Sequence, residues 1–188
     1  MPLTNAVWKH YAQFLGEPST GYLVKLKEHP EGQYDIAQYE DVPWKGAVTL
    51  ATCGFSDVPL HMFRQELVLL CYERFVSKDL ILMLAGVMEM VADSQHPLLQ
   101  GRVLVPWLND ESLMENTTMS SLYSAVPTYF PDEFQIMRDA EESIDVGWLI
   151  PIHRSEADWI KEHGWEAFES RLVELDPDVI DLTRPPIV

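Results

Sequence analysis

The chain has 188 residues, enough for a well-filled core, and its 47% hydrophobic and 11% aromatic content belongs to a folded globular protein rather than a disordered one. Its 13 basic and 30 acidic residues leave a net charge of -17, which excludes a phosphate-backbone binder and disfavours anionic membranes, because both rely on Lys and Arg. The imbalance is uneven: residues 132–188 hold 15 acidic and 5 basic residues, so one end of the molecule has a negative field.

Val7, Tyr11, Phe14 and Leu15 stand at helical spacing behind a Thr4 cap, which predicts an amphipathic helix over 4–15 that Gly16 and Pro18 stop. Residues 21–39 read as a hairpin, with 34–39 as one arm and His29-Pro30-Glu31-Gly32 at its turn. Segments 47–53 and 64–72 are rich in Val, Leu and Thr and predict two strands near the sheet centre, joined by the loop 54–59. Ser77 caps a helix over 80–92 that is apolar nearly all round and therefore buried against the sheet, with Gly86 permitting close backbone approach.

Further along, 102–107 predicts a strand, 109–120 a polar loop, 122–130 a strand broken by Pro127, and 134–138 another short strand before an acidic turn at 139–143. Residues 144–152 follow a strand pattern. Residues 154–175 follow a helical one, capped by Ser155 and divided by Gly164. Three prolines keep the tail from being a helix, and 179–182 predicts a short edge strand.

The two cysteines, Cys53 and Cys71, fall on predicted strands and read as small buried hydrophobes. There is no CxxC and no basic-then-apolar leader, and the longest apolar run, 80–91, is interrupted by Gly86 and Glu89 and too short to span a bilayer. These features point to a cytoplasmic protein.

Chemistry finds little footing. The six histidines are isolated, with no HExxH pair for zinc; His61 near Asp57 is the most suggestive, and that pairing is common in structural loops. Cys53-Gly54-Phe55-Ser56-Asp57 is not a GxSxG elbow, and Ser56 and Asp57 are better read as side chains capping the loop backbone. No phosphate-cradling glycine motif occurs, and the carboxylate pairs Glu156/Asp158 and Glu141/Glu142 read as a solvated face. No cofactor, metal or catalytic residue is expected, and the chain is read as a non-enzyme.

The order of several fragments carries a resemblance. Gly54-Phe55-Ser56-Asp57 closes a strand, Arg64-Gln65-Glu66-Leu67 opens the next, and an apolar helix surrounds Leu84-Ala85. After 101–105 come Val146 to Ile152 with Pro151, then Glu156, Gly164, Asp176-Pro177, and a tail with Asp181 and Arg184. In this order they resemble the suppressor of fused (SUFU-like) family, in its compact single-domain bacterial form. The resemblance implies one domain over 1–188: an N-terminal helix and hairpin in 1–46 and a family-like core in 47–188. The implied fold is α+β, a mixed, largely antiparallel central sheet with helices packed on its faces.

For the family-motif residues Gly54, Ser56, Asp57, Arg64, Glu66, Pro151, Glu156, Gly164, Asp181 and Arg184 the expected roles are mainly structural. Glu66 and Glu156 anchor loops or helix starts, and Asp181 pairs with Arg184 to pin the tail. The family also implies no catalysis and a protein partner. The animal protein holds a Gli segment as an added strand, but it uses a second domain this chain is too short to contain, and Gly101 and Arg102 stand where its acidic residue would fall.

Compact bacterial relatives are inferred to be immunity proteins that neutralise a toxin domain of a polymorphic toxin system, and an acidic inhibitor suits a basic toxin. The alternative is a peptide-binding or scaffold module acting by β-strand addition at an exposed sheet edge beside an apolar groove. A hydrolase would require Ser56 or Cys53 beside a histidine in a pocket.

Overall fold

A computed structural model describes residues 3–104, 117–138 and 143–188, with side chains from residue 6 onward. In chain order these residues form α1 (Leu3–Phe14), β1 (Thr20–Val24), β2 (Tyr34–Glu40), β3 (Ala47–Cys53), β4 (Gln65–Tyr72) and α2 (Lys78–Ser94). There follow β5 (Val103–Leu104), β6 (Met119–Ala125), β7 (Ile136–Arg138), β8 (Ser143–His153), α3 (Arg154–His163) and α4 (Trp165–Leu175). The strands make one sheet in the order β1-β2-β3-β4-β8-β6-β5, with β7 also paired to β8. Every pairing is antiparallel except β4 with β8, which runs parallel from Gln65 opposite Asp145 to Leu69 opposite Leu149. The architecture is therefore the expected mixed, largely antiparallel α+β sheet.

The central strands are apolar on both faces because both faces are covered. Val48, Leu50, Leu67, Leu69 and Leu149 face α2, whose Leu80, Leu84, Val87, Met88 and Val91 complete that core. Ala51, Val68, Leu70, Val146, Trp148 and Ile150 face the other way, onto Val7 and Tyr11 of α1, Ala157 and Ile160 of α3 and Phe168 of α4. Ser77 caps α2 through its hydroxyl, which accepts the Leu80 amide at 3.2 Å. None of the helices is long and apolar enough to cross a membrane among the described residues.

Several sequence expectations are corrected. Ser155 lies inside the first turn of α3, because β8 runs on to His153 and that residue occupies the cap position. Residues 179–182 form no strand; Asp181 and Arg184 donate their amides to the carbonyls of Asp178 and Asp181, which coils the tail into tight turns. β6 starts at Met119, inside the expected loop, and ends before Pro127, whose missing N–H suits the position after a strand. β7 covers only the second half of 134–138, after a turn over Asp132–Phe134. Of the strand expected over 102–107, Val103 and Leu104 are paired, while 105–116 and the acidic turn residues 139–142 lie outside the described residues.

Candidate functional site

The nucleophile candidates are buried. Cys53 and Ser56 are fully enclosed, burial pushes the Cys53 thiol well up from its ordinary range, and it pushes Cys71 up to about 12. A thiol that stays protonated is a poor nucleophile. His61 and His96 meet edge to face on the surface, with ring centroids 5.1 Å apart, and no group of three metal-ligating side chains occurs among the described residues. Glu156 and Asp158 do not act as a carboxylate pair: Glu156 is buried, while Asp158 is exposed and bonded to Arg154 at 3.2 Å. Glu141 and Glu142 fall outside the described residues.

The family-motif residues gather into two buried knots, each built on a carboxylate. In the first, Glu66 at the start of β4 accepts the Gly54 and Ser56 amides on Oε1, both at 3.0 Å, and the Thr52 hydroxyl on Oε2 at 2.5 Å. Thr52 Oγ1 in turn accepts the Leu67 amide at 2.8 Å. Gly54 turns the chain with φ 91°, in the left-handed region that suits glycine, and this aims the next amides at the carboxylate. The Gly54 and Ser56 amides therefore both go to Glu66. Arg64 Nη1 donates to the Ser56 carbonyl at 3.3 Å and closes the corner.

In the second knot Arg184 grips Glu156 with both terminal nitrogens, Nη1 to Oε1 at 2.6 Å and Nη2 to Oε2 at 2.9 Å. The same carboxylate accepts the His153 amide at 2.7 Å and the Ile187 amide at 3.1 Å, tying the start of α3 to the C-terminal tail. His153 Nε2 donates to the Arg184 carbonyl at 2.8 Å. The expected Asp181–Arg184 pair is thus replaced. Asp181 instead accepts the Thr183 amide and hydroxyl and pairs with Arg74 at 3.0 Å, which holds its carboxyl below the usual range despite the opposing effect of burial. Tyr72 extends this attachment, donating its amide to Ile180 O at 3.3 Å and its hydroxyl to Asp178 at 2.6 Å, so the tail takes over where the β4–β8 ladder stops. Pro151 sits within β8 opposite Leu122, and Gly164 separates α3 from α4.

Among the described residues, the surfaces open to a partner include these three. The first is the outer edge of β1, which no strand pairs among the described residues and from which Leu23 projects 62% exposed. The second is a cavity of about 480 Å³ between β5 and α3, with Val103, Ala157, Ile160 and Trp165 as apolar lining and Arg102, Arg154, Asp158 and Lys161 as charged lining. Gly101 makes its floor possible. At φ +87° the Trp165 ring lies so close that an added Cβ would meet Cγ at 2.5 Å. The third is α4, where Glu166, Ser170, Val173 and Glu174 share the face opposite buried Phe168. Val173 is 83% exposed there, Leu175 at the helix end is 51% exposed, and exposed Asp176 and Asp178 follow. Sequence reasoning passed over Val173, although its place on the polar face of an amphipathic helix was a usable signal. It also missed the groove, since no local pattern joins Gly101 to Trp165.

The family model for suppressor of fused protein (SUFU) matches residues 31–185. The chain belongs to the suppressor of fused family. Among solved structures, a SUFU homologue from Neisseria gonorrhoeae is similar with a TM-score of 0.79 at 16% identity, over 98% of this chain and 96% of that one. A chain of the Sufu–Fu complex is similar with a TM-score of 0.68 at 12% identity, over 98% and 90%. Drosophila Suppressor of Fused gives a TM-score of 0.69 at 12% identity over 99% of this chain, which spans 50% of the fly protein. At these identities the likeness is one of fold. It includes α1 and β1, which precede the residues the family model matches. No curated protein sequence matches the chain.

Proposed function

We propose that this SUFU-family chain is a non-catalytic protein-binding domain of the cytoplasm, acting as one unit over residues 1–188. Its role is that of an immunity protein, neutralising a basic toxin domain of a bacterial polymorphic toxin system. The observation that carries the reading is the outward face of α4, where exposed Val173 sits with Glu166 and Glu174, followed at the helix end by exposed Leu175, Asp176 and Asp178, on a chain of net charge -17. Apolar anchors ringed by one sign of charge suit a partner of the opposite sign, with the charges speeding encounter and the anchors slowing release. That a relative is known in the Sufu–Fu complex supports protein binding in general. In this reading the two carboxylate knots keep the fold and the partner does not touch them.

The test is the association rate with the purified basic partner across a salt series, for the wild type and Val173→Lys. The reading predicts a rate that falls steeply with salt and a Val173→Lys affinity at least tenfold weaker, with folding unchanged. A salt-independent rate and an unaltered affinity would remove the support.

A second reading is strand addition at an open edge, favoured by the unpaired outer side of β1 and by the apolar-lined groove beside β5. It predicts that proline substitutions on β1 abolish binding while Val173→Lys leaves it intact.

A further inference from the structure

Glu66 and Glu156 are both fully buried, and their surroundings differ in one respect that decides their chemistry. Glu156 is neutralised by a bidentate guanidinium. Among the described residues Glu66 has hydrogen-bond donors and no bonded cation: the Gly54 and Ser56 amides and the Thr52 hydroxyl, with the Ser56 side chain acting in the same direction. The groups that share its corner are Tyr11 from α1, Tyr39 from β2 and Cys53 from β3, with Asp35 and Asp57 acting on Cys53, and none of these is a cation. Arg64, at the foot of β4, directs its Nη1 to the Ser56 carbonyl. Full burial without a bonded counter-charge disfavours the ionised carboxylate, and the hydrogen-bond donors offset only part of that cost.

We infer that Glu66 is a built-in proton acceptor, taking up one proton as the chain folds and making the corner between α1, the 54–57 turn and β4 sensitive to pH. The proton comes from solvent and sits on Oε2. Oε1 meanwhile keeps both loop amides. In agreement, burial raises the Glu66 carboxyl from 4.5 to about 7, with the hydrogen bonds pulling the other way.

The direction follows from linkage. Folded Glu66 holds its proton between about pH 4.5 and 7 while the unfolded chain has lost it, so this stabilisation is complete below 4.5 and is lost as pH rises through 7. The experiment compares urea unfolding of the wild type and Glu66→Gln from pH 4.5 to 8. Gln keeps an acceptor for the two amides and cannot ionise. The expected result is that the folded-to-unfolded ratio of the wild type, relative to Glu66→Gln, falls on the order of a hundredfold across that range. Ratios that stay constant within threefold would overturn the inference. Should Glu66→Gln fail to fold, the carboxyl carbon shift of Glu66 in the wild type decides: a midpoint near 7 supports the inference and one below 5 overturns it.

Discussion

Replacing Arg184 with Met removes the guanidinium that grips Glu156 and leaves the rest of that knot in place. The carboxylate is fully buried and Arg184 is 5% exposed, so water cannot take over from the guanidinium. Glu156 would keep the His153 and Ile187 amides, at 2.7 and 3.1 Å, but it would carry an uncompensated charge. Breaking such a pair from one side costs about 3–5 kcal/mol, a large share of the roughly 5–15 kcal/mol that holds a typical domain folded. With a slope of about 2 kcal/mol per molar urea, the unfolding midpoint of Arg184→Met falls by roughly 2 M at neutral pH. The double variant Glu156→Gln with Arg184→Met should lose less than Arg184→Met alone, since no buried charge remains. Urea unfolding followed by tryptophan fluorescence measures both. A loss under about 1 kcal/mol for Arg184→Met, or strictly additive losses in the double variant, would refute the account of the knot.

Two further substitutions test the packing that shapes the surfaces. Gly101→Ala places a Cβ against Trp165 at a positive φ and should lower stability by about 1–3 kcal/mol, with partial recovery when Trp165 is also reduced to Leu; thermal unfolding reads both. Ser77→Ala deletes the hydroxyl that accepts the Leu80 amide and should cost about 1 kcal/mol, measured as a small fall in the urea midpoint with no change in slope.

Much of the fold was legible because the central strands carry their own signature. The segments that became β3, β4 and β8 are apolar through both faces, and the sheet is covered on both sides, so local composition and tertiary environment agree. The helix start at His153 was misread because Ser155 is the better capping residue by propensity. What decided the cap was the extension of β8 together with the Glu156 carboxylate on the His153 amide.

The tail shows the same limit. Asp181 lies close to Arg184 in sequence and looked like its partner, yet Thr183 and Arg74 take that carboxylate while Arg184 reaches Glu156, 28 residues away. Glu66 was expected to anchor a loop as one of the family-motif residues, but that no cation is bonded to it among the described residues shows only once the surrounding elements are assembled. The groove beside β5 has no sequence signal at all, since its floor joins Gly101 to a tryptophan on another helix.

The central claim, an acidic protein-binding domain that neutralises a basic toxin, is tested most directly by co-expressing this chain with such a toxin domain and counting surviving cells. The wild type should restore growth, and Val173→Lys, folded to the same extent, should fail to do so. Equal toxicity with and without the wild-type chain would contradict it.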